Sequence, residues 1–263
     1  MLPFARHKFA TYLIAACAIF TGAAGNFPLQ SAAAATPAVA APGVTLAPFS
    51  QASEGVPPAP WRIEGLPSRN KPVSQFDIVT LDTRKVLRVR TDHSYGTLSH
   101  AVPPQTTGGL LHWQWRLDQP LARADLRHRE GDDAALKVCA LFDMPLEHLG
   151  LVERDMLLLT EHNSGEKLPS ATLCYVWDRT LPVGTELPNP FTRLVHYIVL
   201  DSGTTPLRQW TSHTRDLGAD FLHSFGQTSA TVPPLMAIAV GADADNTGDS
   251  SLAYVGDITL MKQ

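Results

Sequence analysis

From about residue 76 onward the chain alternates between apolar and polar positions. Phe76-Asp-Ile-Val-Thr-Leu81 and Val86-Leu-Arg-Val-Arg90 switch at nearly every step, the period of a strand with one wet face. Residues 110–117 alternate too and place Leu111, Trp113 and Trp115 on one side. Further β runs are expected at 136–142, 171–177, 194–200, 207–212 and in a pair between 236 and 260. Two segments follow a helical spacing instead. In 146–159 the apolar residues recur every three or four positions, and 219–225 reads as a short helix stopped by Gly226. The pattern predicts an all-β fold: an antiparallel β-sandwich, jelly-roll-like, with one or two short helices. Alternating βα units are missing, and no Gly-rich phosphate loop follows a strand, which excludes a doubly wound nucleotide-binding fold.

The first 60 residues break this pattern. Arg6, His7 and Lys8 precede an apolar run from Phe9 to Phe20, with small residues at Gly22-Ala-Ala-Gly25 and Ala32-Ala-Ala-Ala35. That is the order of an export signal, expected over residues 1–35. The run is too short and Ala-rich for a good membrane span, so no span is expected in the mature form. Cys17 could alternatively be read as a lipidation site, although the apolar run continues past it. Residues 36–60 are rich in Ala, Pro, Gly and Ser and are expected to be a disordered linker, leaving 61–263 as a single β-sandwich domain. The protein is then periplasmic or secreted. Its net charge is −4, and losing Arg6 and Lys8 with the signal leaves about −6. An acidic surface with no basic stripe argues against nucleic acid as a partner. In such a compartment Cys139 and Cys174 either bridge two strands or remain separate buried thiols.

Chemistry concentrates near the C-terminus. Asp243, Asp245, Asn246 and Asp249 crowd one connection between strands, and Asp257 interrupts the strand that follows. Hard oxygen ligands at this density suit a structural calcium ion, or side chains that bond their own turn. Thr247 and Tyr254 stand where an EF-hand needs ligands, so that motif is rejected. Gly131-Asp132-Asp133 precedes a strong strand. Neighbouring strand residues point to opposite faces, so only one of the two carboxylates can serve a given site. If the protein were an enzyme, Asp132, Asp133 or Asp220 would be its acid or base, with Arg215 holding an acidic sugar; two such carboxyls need to lie about 5 to 9 Å apart. A structural pair of Arg215 with Asp216 or Asp220 is the alternative. Of five tryptophans, Trp113 and Trp115 share a strand face and suit the core, whereas Trp177 and Trp210 fall near strand ends and suit a ligand surface.

The combination of Trp113-Gln-Trp115, Gly131-Asp-Asp133 leading to Val138 and Phe142-Asp143, Tyr175-Val-Trp177, Ser202-Gly203, Trp210 with Arg215 and Asp220-Phe221, Phe225-Gly226, Asp243-Ala-Asp-Asn-Thr-Gly248 and Gly256-Asp-Ile258 resembles the bacterial domain of unknown function 3047 family. Residues 146–159 and the segment Ser94-Tyr-Gly-Thr-Leu98 depart from that pattern. The resemblance implies an exported β-sandwich without an established activity. Export signal, sandwich pattern, acidic loop and tryptophans together point to a non-catalytic module binding a glycan or envelope polymer. A glycoside hydrolase or lyase, or an envelope protein-interaction module, is the alternative.

Overall fold

The computed structural model describes residues 44–65, 71–203 and 205–262. The expected signal, Cys17 and the first residues of the expected linker lie outside the described residues. In chain order the strands are β1 (Arg62–Glu64), β2 (Gln75–Leu81), β3 (Arg84–Asp92), β4 (Tyr95–Ala101), β5 (Leu110–Gln119) and β6 (Lys137–Phe142). Helix α1 (Leu151–Ser164) precedes β7 (Ala171–Asp178), β8 (Glu186–Pro188), β9 (Val195–Ser202) and β10 (Thr211–Asp216). Helix α2 (Leu217–Phe225) precedes β11 (Leu235–Asp243), β12 (Ser250–Val255) and β13 (Thr259–Met261).

The strands form two sheets, as the alternation predicts. One is seven-stranded, β1-β4-β11-β6-β7-β9-β8, and the other runs β10-β5-β12-β3-β2, with β13 also paired to β5. Leu87 and Val89 of β3, Leu111, Trp113 and Trp115 of β5, and Ala253 and Val255 of β12 face Leu98, Val138, Ala140, Tyr175, Ile238 and Val240 of the other sheet. This is the sandwich core, and burying its large side chains is worth about 1.5–3 kcal/mol each. A second apolar cluster covers the outer face of the seven-stranded sheet, where Leu126, Ala134 and Leu181 pack over Cys139, Cys174, Val176, Tyr197 and Val199.

Several details differ from expectation. The β7–β9 pair is parallel rather than antiparallel, because β8 and its loops carry the chain back before β9 begins. Residues 146–148 are a 3-10 turn, and α1 starts only at Leu151. Gly165, at φ 71, ends α1 in the left-handed conformation that glycine tolerates. Strand β10 begins at Thr211, later than the expected 207–212 run. Strand β4 was not expected, yet it lies between β1 and β11. Its Tyr-Gly-Thr-Leu-Ser-His-Ala carries few strand formers; pairing with β11 across seven residues overrides that preference.

The linker expectation is not met over the described residues 44–60. From Val44 the chain is folded onto the sandwich: Leu46, Phe49 and Ala52 are buried in the core, and Val44 N–H donates to Leu260 O at 2.9 Å. A Pro- and Ala-rich composition hid three well-placed apolar side chains. Among the described residues no helix is long and apolar enough to cross a membrane.

Candidate functional site

The two motifs that stand out in the sequence meet at one place. At Gly131 a Cβ would come within 2.9 Å of Asp125 N, so only glycine fits this close approach. The turn it allows releases Asp132 and Asp133 in different directions. Asp133 accepts from Asn246 N (3.2 Å), Thr247 N (2.7 Å) and Thr247 Oγ1 (2.6 Å). Asp243 accepts from Ala134 N and from Lys137 Nζ, both at 2.8 Å. Asn246 Nδ2 returns a bond to Asp132 O at 3.0 Å. The acidic loop and the Gly131-Asp-Asp133 turn therefore satisfy each other's polar groups. Burial opposes both charges of the Lys137–Asp243 pair; the attraction of Asp243 prevails at Lys137 and holds the ammonium charged.

Asp132 faces the other way. It accepts from Asn189 Nδ2 at 2.5 Å and from Tyr197 OH at 3.0 Å. Burial, then the Asp243 charge, push its pKa up to about 6. Asp132 and Asp133 are 5% and 1% exposed, so neither is presented to a substrate in this structure.

The predicted metal ligands are dispersed rather than gathered. Asp245 pairs with Lys71 at 3.6 Å. Asp249 accepts from Ala122 N and Ser250 N, and Asp257 accepts from Ser50 N and Oγ. Among the described residues no three Asp, Glu, His or Cys side chains converge as a metal site. Asp243, Asp245, Asn246, Asp249 and Asp257 each bond a turn or a neighbouring segment.

The other candidates are engaged as well. Arg215 grips Asp220 with two hydrogen bonds, Nε at 2.8 Å and an Nη at 2.6 Å, and Tyr175 OH donates to the same carboxylate at 2.7 Å. Arg215 and Asp220 thus form the ion pair that the sequence offered as the alternative reading. Trp177 is buried in the core, against the expectation of a surface platform. Trp210 is half-buried beneath the Arg84 guanidinium, 3.9 Å from its ring centroid. Cys139 and Cys174 face each other across β6 and β7 and are disulfide-bonded, with Cα atoms 4.1 Å apart. Sequence reading did not assign Asp201 a role. It is a strand carboxylate that accepts from Trp115 Nε1 (2.5 Å), Thr211 Oγ1 (3.0 Å) and His213 Nε2 (3.0 Å, in one tautomer). Burial raises its pKa, but the bonds from His213 and Trp115 outweigh this and hold it below the usual range.

An open groove lies beside α1. It has a volume of about 500 Å³ and runs between α1 and the 188–194 loop, lined among others by Met156, Thr160, Asn189, Phe191 and Arg193. Asn189 builds its loop wall. Its Nδ2 is tied to Asp132 and to Tyr197 OH, while its Oδ1 accepts from Phe191 N and Thr192 N. The loop so held presents Phe191 at 46% exposure. Arg129 lies 5.2 Å from the Phe191 ring centroid and donates to Pro190 O. On the helix side Val152, Met156 and Leu159 form an exposed apolar stripe, with Val152 at 70%. Sequence reasoning missed this groove. The one available signal was an excess of apolar residues in 146–159 over what a single buried face requires.

A family model described as "Protein of unknown function (DUF3047)" matches residues 59–259. No curated protein matches the chain. Among solved structures, TmCBM61 in complex with β-1,4-galactotriose is similar at 8% identity and a TM-score of 0.33, covering 78% of this chain and 90% of that one. The K1 cleaved adhesin domain of Lys-gingipain from Porphyromonas gingivalis W83 is similar at 10% identity and a TM-score of 0.35, covering 82% and 96%. Likenesses this distant carry no argument about what the present chain binds.

Proposed function

The chain belongs to the family of proteins of unknown function DUF3047, and because that description assigns no activity, we propose from the groove itself that this protein is a non-catalytic binding module for a glycan or cell-envelope polymer. The observation that carries this reading is the groove beside α1. It is open, about 500 Å³ in volume, and combines an exposed ring, Phe191, with polar groups from Thr160, Thr192 and Arg193. Sugar rings stack their C–H faces on aromatic rings while their hydroxyls bond polar groups at the rim, and ligand sites combine these features. The carboxylates expected to act in catalysis, by contrast, are each bonded to donors of this chain. The N-terminal signal pattern supports work in the periplasm or outside the cell, and a Cys139–Cys174 bridge suits an oxidising compartment.

Purified protein on a broad array of glycans and peptidoglycan fragments tests the reading, with Phe191→Ala beside it. The expected result is specific binding that Phe191→Ala weakens at least tenfold. EDTA is expected to leave it unchanged, because carboxylates of the acidic loop already accept hydrogen bonds from this chain. If no glycan or peptidoglycan fragment binds, the reading fails. A protein partner is the second reading, favoured by the exposed stripe Val152–Met156–Leu159. A photo-crosslinker at Leu159 that captures one envelope protein in cells, together with an empty glycan array, would favour it.

A further inference from the structure

We infer that the groove is selective for acidic saccharides, chains bearing carboxylate groups such as uronic acids, and that Arg193 and Arg129 are the residues that select them. The inference rests on the groove being the glycan site. Arg193 stands on the loop wall of the groove, and Arg129 is bonded to that wall. Arg193 lines it and is exposed. Arg129 lies over Phe191, with its Nε on Pro190 O at 3.0 Å.

Four other arginines of the fold are neutralised by carboxylates. Arg88 is paired with Asp77, Arg116 with Asp118 and Asp82, Arg127 with Asp125, and Arg215 with Asp220. Neither Arg129 nor Arg193 has a carboxylate partner among the described residues. The protein as a whole is acidic, at net charge −4, and two guanidiniums without a carboxylate partner beside one exposed aromatic ring concentrate positive charge there. A guanidinium presents a planar fork of donors that matches a carboxylate, and such charge-assisted bonds are the strong ones. A pyranose stacked on Phe191 would bring its ring carboxylate within reach of groove-lining Arg193, with Arg129 over the same ring. Glu153, on the helix side, is the single acidic residue lining the groove. It accepts from sugar hydroxyls and repels a carboxylate, which orients an acidic ring with its charge toward the loop wall.

The test sets polygalacturonate, alginate and hyaluronan oligomers beside their carboxyl-reduced forms, measured by calorimetry on the intact protein. Arg193→Gln, Arg129→Gln and Phe191→Ala are the variants. All three side chains are exposed, so the fold is expected to survive. The inference predicts that at least one uronate oligomer binds tenfold or more tightly than its reduced form. It further predicts that either arginine variant erases most of that difference, and that added salt weakens acidic binding alone. Equal binding of acidic and reduced forms, lost in Phe191→Ala, overturns the inference and leaves the groove as a glycan site. An acid preference that persists in both arginine variants also overturns it. If no saccharide binds in any arm, the proposed function itself has failed.

Discussion

Asp132 shows how far a single side chain is set by its surroundings. Its carboxyl titrates near about 6 in the folded protein against 3.8 as a free group, because burial and the Asp243 charge disfavour its ionised form. Between those pH values the native state keeps a proton that the unfolded chain has released, so stability falls as pH rises through the window. At about 1.4 kcal/mol for each pH unit, Asp132 lowers stability by roughly 3 kcal/mol between pH 4 and pH 7. Urea denaturation across that range is expected to show this decline in the parent and a flatter profile in Asp132→Asn. Identical profiles would remove Asp132 as its source. Lys137 makes the complementary case. Removing its ammonium, as in Lys137→Met, leaves Asp243 buried with its charge uncompensated and is expected to cost about 3–5 kcal/mol. A loss under 1 kcal/mol would mean that water reaches Asp243. Neither partnership was legible in the sequence. It shows that Asp132 and Asp243 are carboxylates near turns, and nothing in a linear pattern tells that residues 111 positions apart, by their numbers, share one buried cluster.

At the scale of elements, the legible and the hidden divide by how local their cause is. Strand β5 is read from alternation alone, since Leu111, Trp113 and Trp115 must all face the core. The short helix α2 is readable too, and its start is fixed by Asp216, whose carboxylate accepts from Gly218 N and Ala219 N. Strand β4 exists because β11 and β1 pair with it, a cause that no window of its own residues contains. Helix α1 was expected, but not that five of its apolar residues, Leu151, Val152, Met156, Leu158 and Leu159, would stay exposed. Helix α1 also lies inside the loop that the Cys139–Cys174 bridge closes, 35 residues apart in sequence. For a loop of this length the chain-entropy estimate is about 4 kcal/mol. Cys139→Ser with Cys174→Ser is expected to lower stability by up to that amount, read from guanidinium unfolding beside the oxidised protein. An unchanged midpoint would show that the thiols are not bridged in the native protein.

At the scale of the molecule, two sheets close a core that extends well before residue 61. Trp61 Nε1 donates to Ala47 O at 2.8 Å, and Ser50 bonds Asp257 through both its N–H and its hydroxyl. The segment beginning at Val44 is thus part of the sandwich, and its bridge to Leu260 brings the first described residue beside the last strand. That proximity makes the order in which the chain is written dispensable. The two ends of the folded region are near enough for a short Gly/Ser linker from Lys262 to Val44, and new ends can be opened in the exposed turn at residues 103–105. Such a circular permutant is expected to keep the parent's far-ultraviolet spectrum and to melt within about 10 °C of it, since 1 kcal/mol moves a domain of this size by roughly 2–4 °C. Architecture in this protein then belongs to which strands lie side by side, and the place where synthesis happens to begin is incidental to it.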